Sequence, residues 1–209
     1  MVARGGRGSS NPRLEATGLN DSVLGVVVAG GSGTRMGRDK ALVLLEGRPL
    51  IAWVVDALEA VCPRVLVAGR VNGWAGRRGI EDLPGVGGPL AGLAAALREG
   101  EEVLLLAVDQ PWAKSSTLAA LGQVGGTAVP VDNGVRQVTC ALYAPSLASM
   151  AATETARGGS LQTLLDQASI TDVDPGVWSS WEEDGRSWFS VDTPADLARG
   201  RKLFGSPGS

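Results

Sequence analysis

The 209-residue sequence has no histidine, one tyrosine, two phenylalanines and two cysteines. Without histidine there is no Ser-His-Asp triad, no Cys-His pair and no imidazole-built zinc or iron site. A catalytic metal would have to rest on carboxylates, which points to magnesium or manganese. Cys62 and Cys140 stand far apart in apolar surroundings, so they read as reduced core thiols and not as a disulfide framework or a metal-binding pair. Long apolar runs are also missing. Residues 26–29 and 103–108 fall well short of the roughly 20 residues that cross a bilayer, so no membrane association is expected. Nor is there a surplus of positive charge: 19 Lys and Arg face 22 Asp and Glu, which argues against nucleic acid and for a small ligand. Residues 1–22 carry several Arg but no apolar stretch, so they read as a flexible extension rather than a secretory signal, and the cytoplasm is the expected compartment. A single domain over 23–204 follows, with a short tail at 205–209.

Glycine, by contrast, is abundant, with 30 residues. Residues 23–29 form a nearly continuous apolar run, the mark of a strand buried on both faces, and they break into the glycine-rich stretch "AGGSGTRMGRDK". Pro49 suits a first helical position, and Leu50, Trp53, Val54, Ala57, Leu58 and Val61 recur at helical spacing, which places Trp53 in the core. A strand over Arg64–Ala68, a helix from Pro89 to Gly100 and a strand over 103–109 continue the alternation. Such alternation predicts a parallel sheet with right-handed crossovers, whose strand carboxyl ends share the edge where ligands bind. The glycine loop and Asp109 both fall on that edge. In the second half Asn133-Gly134 signals a β-hairpin. Helices are expected over 146–157 and 160–168. An irregular connection follows, in which Trp178, Trp181 and Trp188 cover the sheet edge. A final helix is capped by Thr193 with Pro194 at its first position. Trp112, just past Asp109, is a candidate ligand contact.

The spacing Gly31-x-Gly33-x-x-x-Gly37 is one residue too long for the dinucleotide fingerprint, and no Gly-Lys-Ser/Thr follows to make a P-loop. What remains is a loop of backbone N–H groups with two cations, Arg35 and Lys40, a combination suited to a triphosphate. A plain turn with solvated cations is the alternative. Asp109 taken alone reads as a strand-end turn residue or helix cap before Pro111, and Asp39 either orients Lys40 or caps the next segment.

Ala29, Gly30, Gly31, Arg35, Met36, Gly37, Asp39 and Lys40 together resemble the signature of the MobA-like nucleotidyltransferase family, which includes the molybdenum cofactor guanylyltransferases. Gly88-Pro89-Leu90-Ala91-Gly92, Asp109 in "AVDQP", Ala141-Leu142-Tyr143 and "VDTPADL" from Val191 match further, in the family's order. The resemblance implies an α/β, three-layer Rossmann-like nucleotidyltransferase fold: a mostly parallel central sheet, helices on both faces and a β-hairpin in the second half. It implies transfer of GMP from GTP to the phosphate of molybdopterin cofactor, with release of pyrophosphate and with Mg2+ as cofactor. Arg35 and Lys40 would be catalytic. Val28, Ala29, Gly30, Gly31, Gly33, Lys40, Gly69, Asp82 and Asp109 would contact nucleotide, Asp82 reading guanine and Asp109 also holding the metal. GTP and molybdopterin are the implied partners, with molybdoenzymes or cofactor chaperones as candidate recipients of the product. Two departures stand out: Gly69 where relatives often carry Asn, and Ser190-Val191-Asp192-Thr193-Pro194 in place of N-x-N-T-P. They keep open a relative that uses CTP or another phosphate acceptor such as phospholactate. A non-catalytic nucleotide-binding module is a third reading. Asp192 itself either orients the Thr193 cap or shares a metal with Asp109.

Overall fold

The computed structural model describes residues 19, 22–30, 39–69, 73–80 and 87–208. Most of the 1–22 extension lies outside these residues, as do Gly31, Gly33, Arg35 and Asp82. The first strand, β1 (Val23–Val28), is buried at every position. Val23 and Val27 join Leu104 and Leu106 in one layer of core, and Leu24, Val26 and Val28 join Val103 and Leu105 in the other. Both faces are covered, which is why its apolar run is continuous and not alternating.

A small hairpin follows, β2 (Leu44–Leu45) against β3 (Arg48–Pro49), turned by Glu46 and Gly47, both at positive φ. The main sheet continues with β4 (Arg64–Ala68), β5 (Gly79–Ile80), β6 (Glu102–Ala107), β7 (Ala128–Asp132), β8 (Val135–Arg136), β9 (Cys140–Tyr143) and β10 (Thr171–Val173). Its order is β10-β7-β9-β6-β1-β4-β5, with β8 paired to β7. β9 runs antiparallel to both β6 and β7, whereas β10 with β7, and β6 with β1, β4 and β5, are parallel. The β7–β8 hairpin turns at Asn133 and Gly134, both at positive φ, as the dipeptide predicts.

The helices are α1 (Leu50–Glu59), α2 (Pro89–Ala96), α3 (Ser115–Val124), α4 (Ala148–Ala156), α5 (Leu161–Leu165), α6 (Pro175–Trp178) and α7 (Pro194–Phe204). Side chains of α1 and α3 pack into one face of the sheet, and those of α2, α4 and α5 into the other. The result is the expected three-layer architecture with a mostly parallel sheet. A third apolar cluster joins the β2–β3 hairpin to α7 through Val43, Leu45, Leu50, Trp112 and Val191, with Phe189, Leu197 and Phe204 against it.

Several expectations need correction. Pro49 caps α1 and belongs to β3 rather than starting the helix. Trp53 is only half-buried; its indole N–H donates to the Leu45 carbonyl and Arg48 lies 4.2 Å from its ring centre, because the sheet is met by Ile51, Val54, Val55 and Leu58. α4 and α5 are shorter than the segments predicted, and β6 ends at Ala107, two residues before Asp109. Trp112 is turned inward: it is 2% exposed, donates to the Gly205 carbonyl and packs against Phe189 and Phe204. The segment expected to be irregular holds α6 and two 3-10 turns, and Trp178 and Trp188 donate to Val131 and Asp132 at the end of β7, a strand inside the sheet and not at its edge.

Candidate functional site

Three adjacent strands, β6, β1 and β4, end side by side, and the chain leaving each of them carries residues singled out from the sequence. Val28 closes β1, and its carbonyl accepts from the Val108 N–H. The next N–H, of Ala29, donates to Ala68 at the end of β4. Gly30 and Gly69 then meet back to back. Gly69 has φ +80°, and a Cβ added there would lie 2.5 Å from Gly30 Cα and 2.6 Å from Gly30 N. Only a residue without a side chain allows this approach. Asp109 leaves β6 on the same rim, two residues beyond its end. Val28, Ala29, Gly30, Gly69 and Asp109 are thus brought together.

Lys40 opens a one-turn 3-10 helix over Lys40–Leu42, capped by Asp39, whose carboxylate accepts the Ala41 N–H. Asp39 therefore acts as the cap. The Lys40 ammonium reaches across the rim and donates to two carboxylates at once, Asp109 Oδ2 at 2.7 Å and Asp192 Oδ1 at 2.8 Å. Burial works against its charge, but the hydrogen bonds to Asp109 and Asp192 outweigh that and hold its pKa above the ordinary lysine value.

Asp192 settles one open alternative. The Thr193 cap is completed by Asp196, whose carboxylate accepts from the Thr193 N–H and hydroxyl, while Asp196 N–H donates back to Thr193 Oγ1. The Asp192 carboxylate turns instead to Lys40. Its segment is fastened to the Asp109 turn by a backbone bond from Val191 N–H to the Asp109 carbonyl, 2.9 Å. The spacing of the two carboxylates is therefore set by main chain.

Two supports of this rim were not singled out from the sequence. Gln110 is buried; its Oε1 accepts the Ala107 N–H and its Nε2 donates to Thr139, which closes the turn bearing Asp109. Glu183, also buried, accepts from the hydroxyls of Thr117 and Ser187 and from the backbone N–H groups of Asp184, Gly185 and Ser187. Ser187 in turn accepts the Lys114 N–H, so the segment leading to Asp192 is tied to the start of α3. The sequence offers no more than several acids near small hydroxyl residues, which does not distinguish Glu183 from its neighbours in "WEEDG".

Hard oxygen donors gathered on one cation can bind a divalent metal completed by phosphate oxygens. Among the described residues no group of three or more His, Cys, Asp or Glu could hold a metal by itself, and no helix is long and apolar enough to cross a membrane.

A family model for the MobA-like NTP transferase domain matches residues 25–172. A probable molybdenum cofactor guanylyltransferase of Chloroflexus aggregans is 30% identical over 190 residues, which cover 83% of this chain and 90% of that protein. A molybdenum cofactor biosynthesis bifunctional protein of Synechocystis is 30% identical over 135 residues; the match covers 58% of this chain and only 39% of that longer protein. Among solved structures, molybdopterin-guanine dinucleotide biosynthesis protein A from Archaeoglobus fulgidus superposes with a TM-score of 0.76 at 25% identity, covering 86% of this chain and 97% of that one.

Proposed function

Since this chain belongs to the MobA-like NTP transferase family of nucleotidyltransferases, we propose that it transfers GMP from GTP to the phosphate of molybdopterin cofactor, in the cytoplasm. The observation that carries this reading is the meeting of Lys40, Asp109 and Asp192 within 2.8 Å beside the Gly30–Gly69 contact. In the reaction, an oxygen of the acceptor phosphate forms a bond to the α-phosphorus of GTP, the bond from that phosphorus to the bridging oxygen breaks, and pyrophosphate leaves with the electron pair.

A phosphate monoester is largely dianionic near neutral pH, with a second pKa of about 6, so the chain needs no base; this agrees with its lack of histidine. Its tasks are positioning and charge neutralisation. The backbone N–H groups of Gly30, Gly31 and Gly33 would face phosphate oxygens, and Arg35 and Lys40 would balance the charge on the transferring and departing groups. The residues fit a magnesium ion: two carboxylates, Asp109 and Asp192, already converge on a single cation, and magnesium sites commonly combine one or two carboxylates with substrate phosphates. When bound there, magnesium would polarise phosphate oxygens as a Lewis acid. Asp82 would accept from guanine N1–H and N2–H, and the names of the relatives support guanine as the base.

The test is turnover of the four nucleoside triphosphates with magnesium and molybdopterin, followed by mass spectrometry of the products. GTP is expected to be preferred at least roughly tenfold, and Asp82→Ala to remove the preference, as loss of a charged hydrogen bond worth about 1.5–3 kcal/mol dictates. CTP as the better substrate would overturn the guanine reading. The Asp in "VDTP" favours that second reading, of a cytidylyl-transferring relative.

A further inference from the structure

Lys40 is bonded to the same two carboxylates that the proposed reaction assigns to the metal. The two occupants compete: ammonium and divalent cation repel each other, and each draws on the carboxylate oxygens. The Lys40 and Asp109 side chains are each 20% exposed, so an ammonium that left them without a new partner would be poorly solvated. Asp192, at 55%, is open to water and offers the side from which a cation enters. A lysine has the means to move, since its charge sits at the end of a flexible four-carbon stem.

We propose that Lys40 is an exchangeable cation, which offsets one of the two charges of the Asp109–Asp192 pair, yields the pair to the divalent metal and is thereby released to the triphosphate. The exchange presupposes that these carboxylates hold the metal, as proposed above. It makes metal and nucleotide cooperative. Metal alone must evict a bonded ammonium and binds weakly, whereas a triphosphate gives that ammonium a new anionic partner, so each ligand lowers the cost of binding the other. The same three side chains therefore pair with one another until both ligands are present, and only then is the site armed.

The test is calorimetric titration of Mn2+ into the nucleotide-free protein, comparing wild type with Lys40→Met, Asp109→Asn and Lys202→Met, a remote exposed lysine that controls for net charge. Lys40→Met is expected to bind Mn2+ about tenfold tighter than wild type, within the usual range of coupling between sites. Lys202→Met should match wild type, and Asp109→Asn should lose the site. If Lys40→Met binds no tighter while Asp109→Asn abolishes binding, the exchange is overturned and the metal reading stands. If Asp109→Asn leaves binding intact, both fall. A second measurement needs no variant: in wild-type crystals soaked with Mn2+, anomalous scattering at Asp109 and Asp192 should coincide with Lys40 Nζ moved out of salt-bridge range. An ion bound there with both Lys40 contacts intact overturns the proposal.

Discussion

Gly69 carries two constraints at once. Its φ of +80° costs an L-residue about 1–2 kcal/mol, and a Cβ would press into the backbone of Gly30, which has no flexible end to give way. Gly69→Ala is therefore expected to lower unfolding free energy by at least about 2 kcal/mol in urea titrations and to raise KM for the nucleotide, because Gly30 must shift. Asn tolerates positive φ but still brings a Cβ, so in this chain it should fail in the same way. The individual side chains of the site were legible to differing degrees. Lys40 and Asp109 stand in recognisable local motifs, and the structure joins them. The partner of Asp192 was not legible, because the choice between its own helix cap and a lysine far back in the chain is made by tertiary proximity. The inward turn of Trp112 was hidden for a like reason: a residue after a rim aspartate is buried or open depending on what α7 does.

The clearest case at the level of elements is α7 packing on that tryptophan. Gly200 lies inside the helix, where replacing glycine by alanine ordinarily gains up to about 1 kcal/mol. Here the added methyl would lie 2.4 Å from Trp112 Cη2, and the ring is locked by its bond to Gly205 and by two phenylalanines. Gly200→Ala is expected to destabilise by about 1–3 kcal/mol, the usual penalty of overpacking, read as a lowered thermal midpoint. The start of the same helix is pH-sensitive. Hydrogen bonds from Thr193 hold the Asp196 carboxyl below its ordinary pKa, so its stabilising contribution is present above about pH 3.9 and is lost as pH falls through the lower folded value. Asp196→Asn should cost about 1 kcal/mol at pH 7, and the gap to wild type should close below pH 4 in denaturant titrations. Periodicity and capping signals exposed β1, β4, α2, the Asn133-Gly134 turn and the α7 cap. They were silent on the antiparallel direction of β9, since an apolar run reads the same in both directions, and on β5 and β10, which are too short to show a period. The β2–β3 hairpin was missed although Glu46-Gly47, a positive-φ pair, is a weaker form of the Asn-Gly signal.

The whole molecule is a sheet sandwiched between two layers of helices, and its two thiols lie inside the layer shared with α1 and α3. Burial pushes Cys62 up to about 12 and Cys140 higher still, so neither is a thiolate near neutral pH. Their reaction with a disulfide reagent should track global opening: negligible in native buffer, and accelerating with urea in parallel with loss of circular dichroism. A rapid reaction of either thiol in the native state would show that this face opens locally.

The Val191–Asp109 backbone bond has a further consequence for the order in which the protein is made. The family match ends at residue 172 and the last strand at Val173, yet the second carboxylate lies beyond both. A chain emerging from the ribosome thus exposes every strand among the described residues before Asp192 is free to dock. Until then Lys40 and Asp109 have each other but no third partner, and the nascent domain is folded in outline without the second carboxylate. If the proposed metal site is right, competence arrives with the final helix, and a chain ended before Asp192 should keep the strands yet show no nucleotidyl transfer.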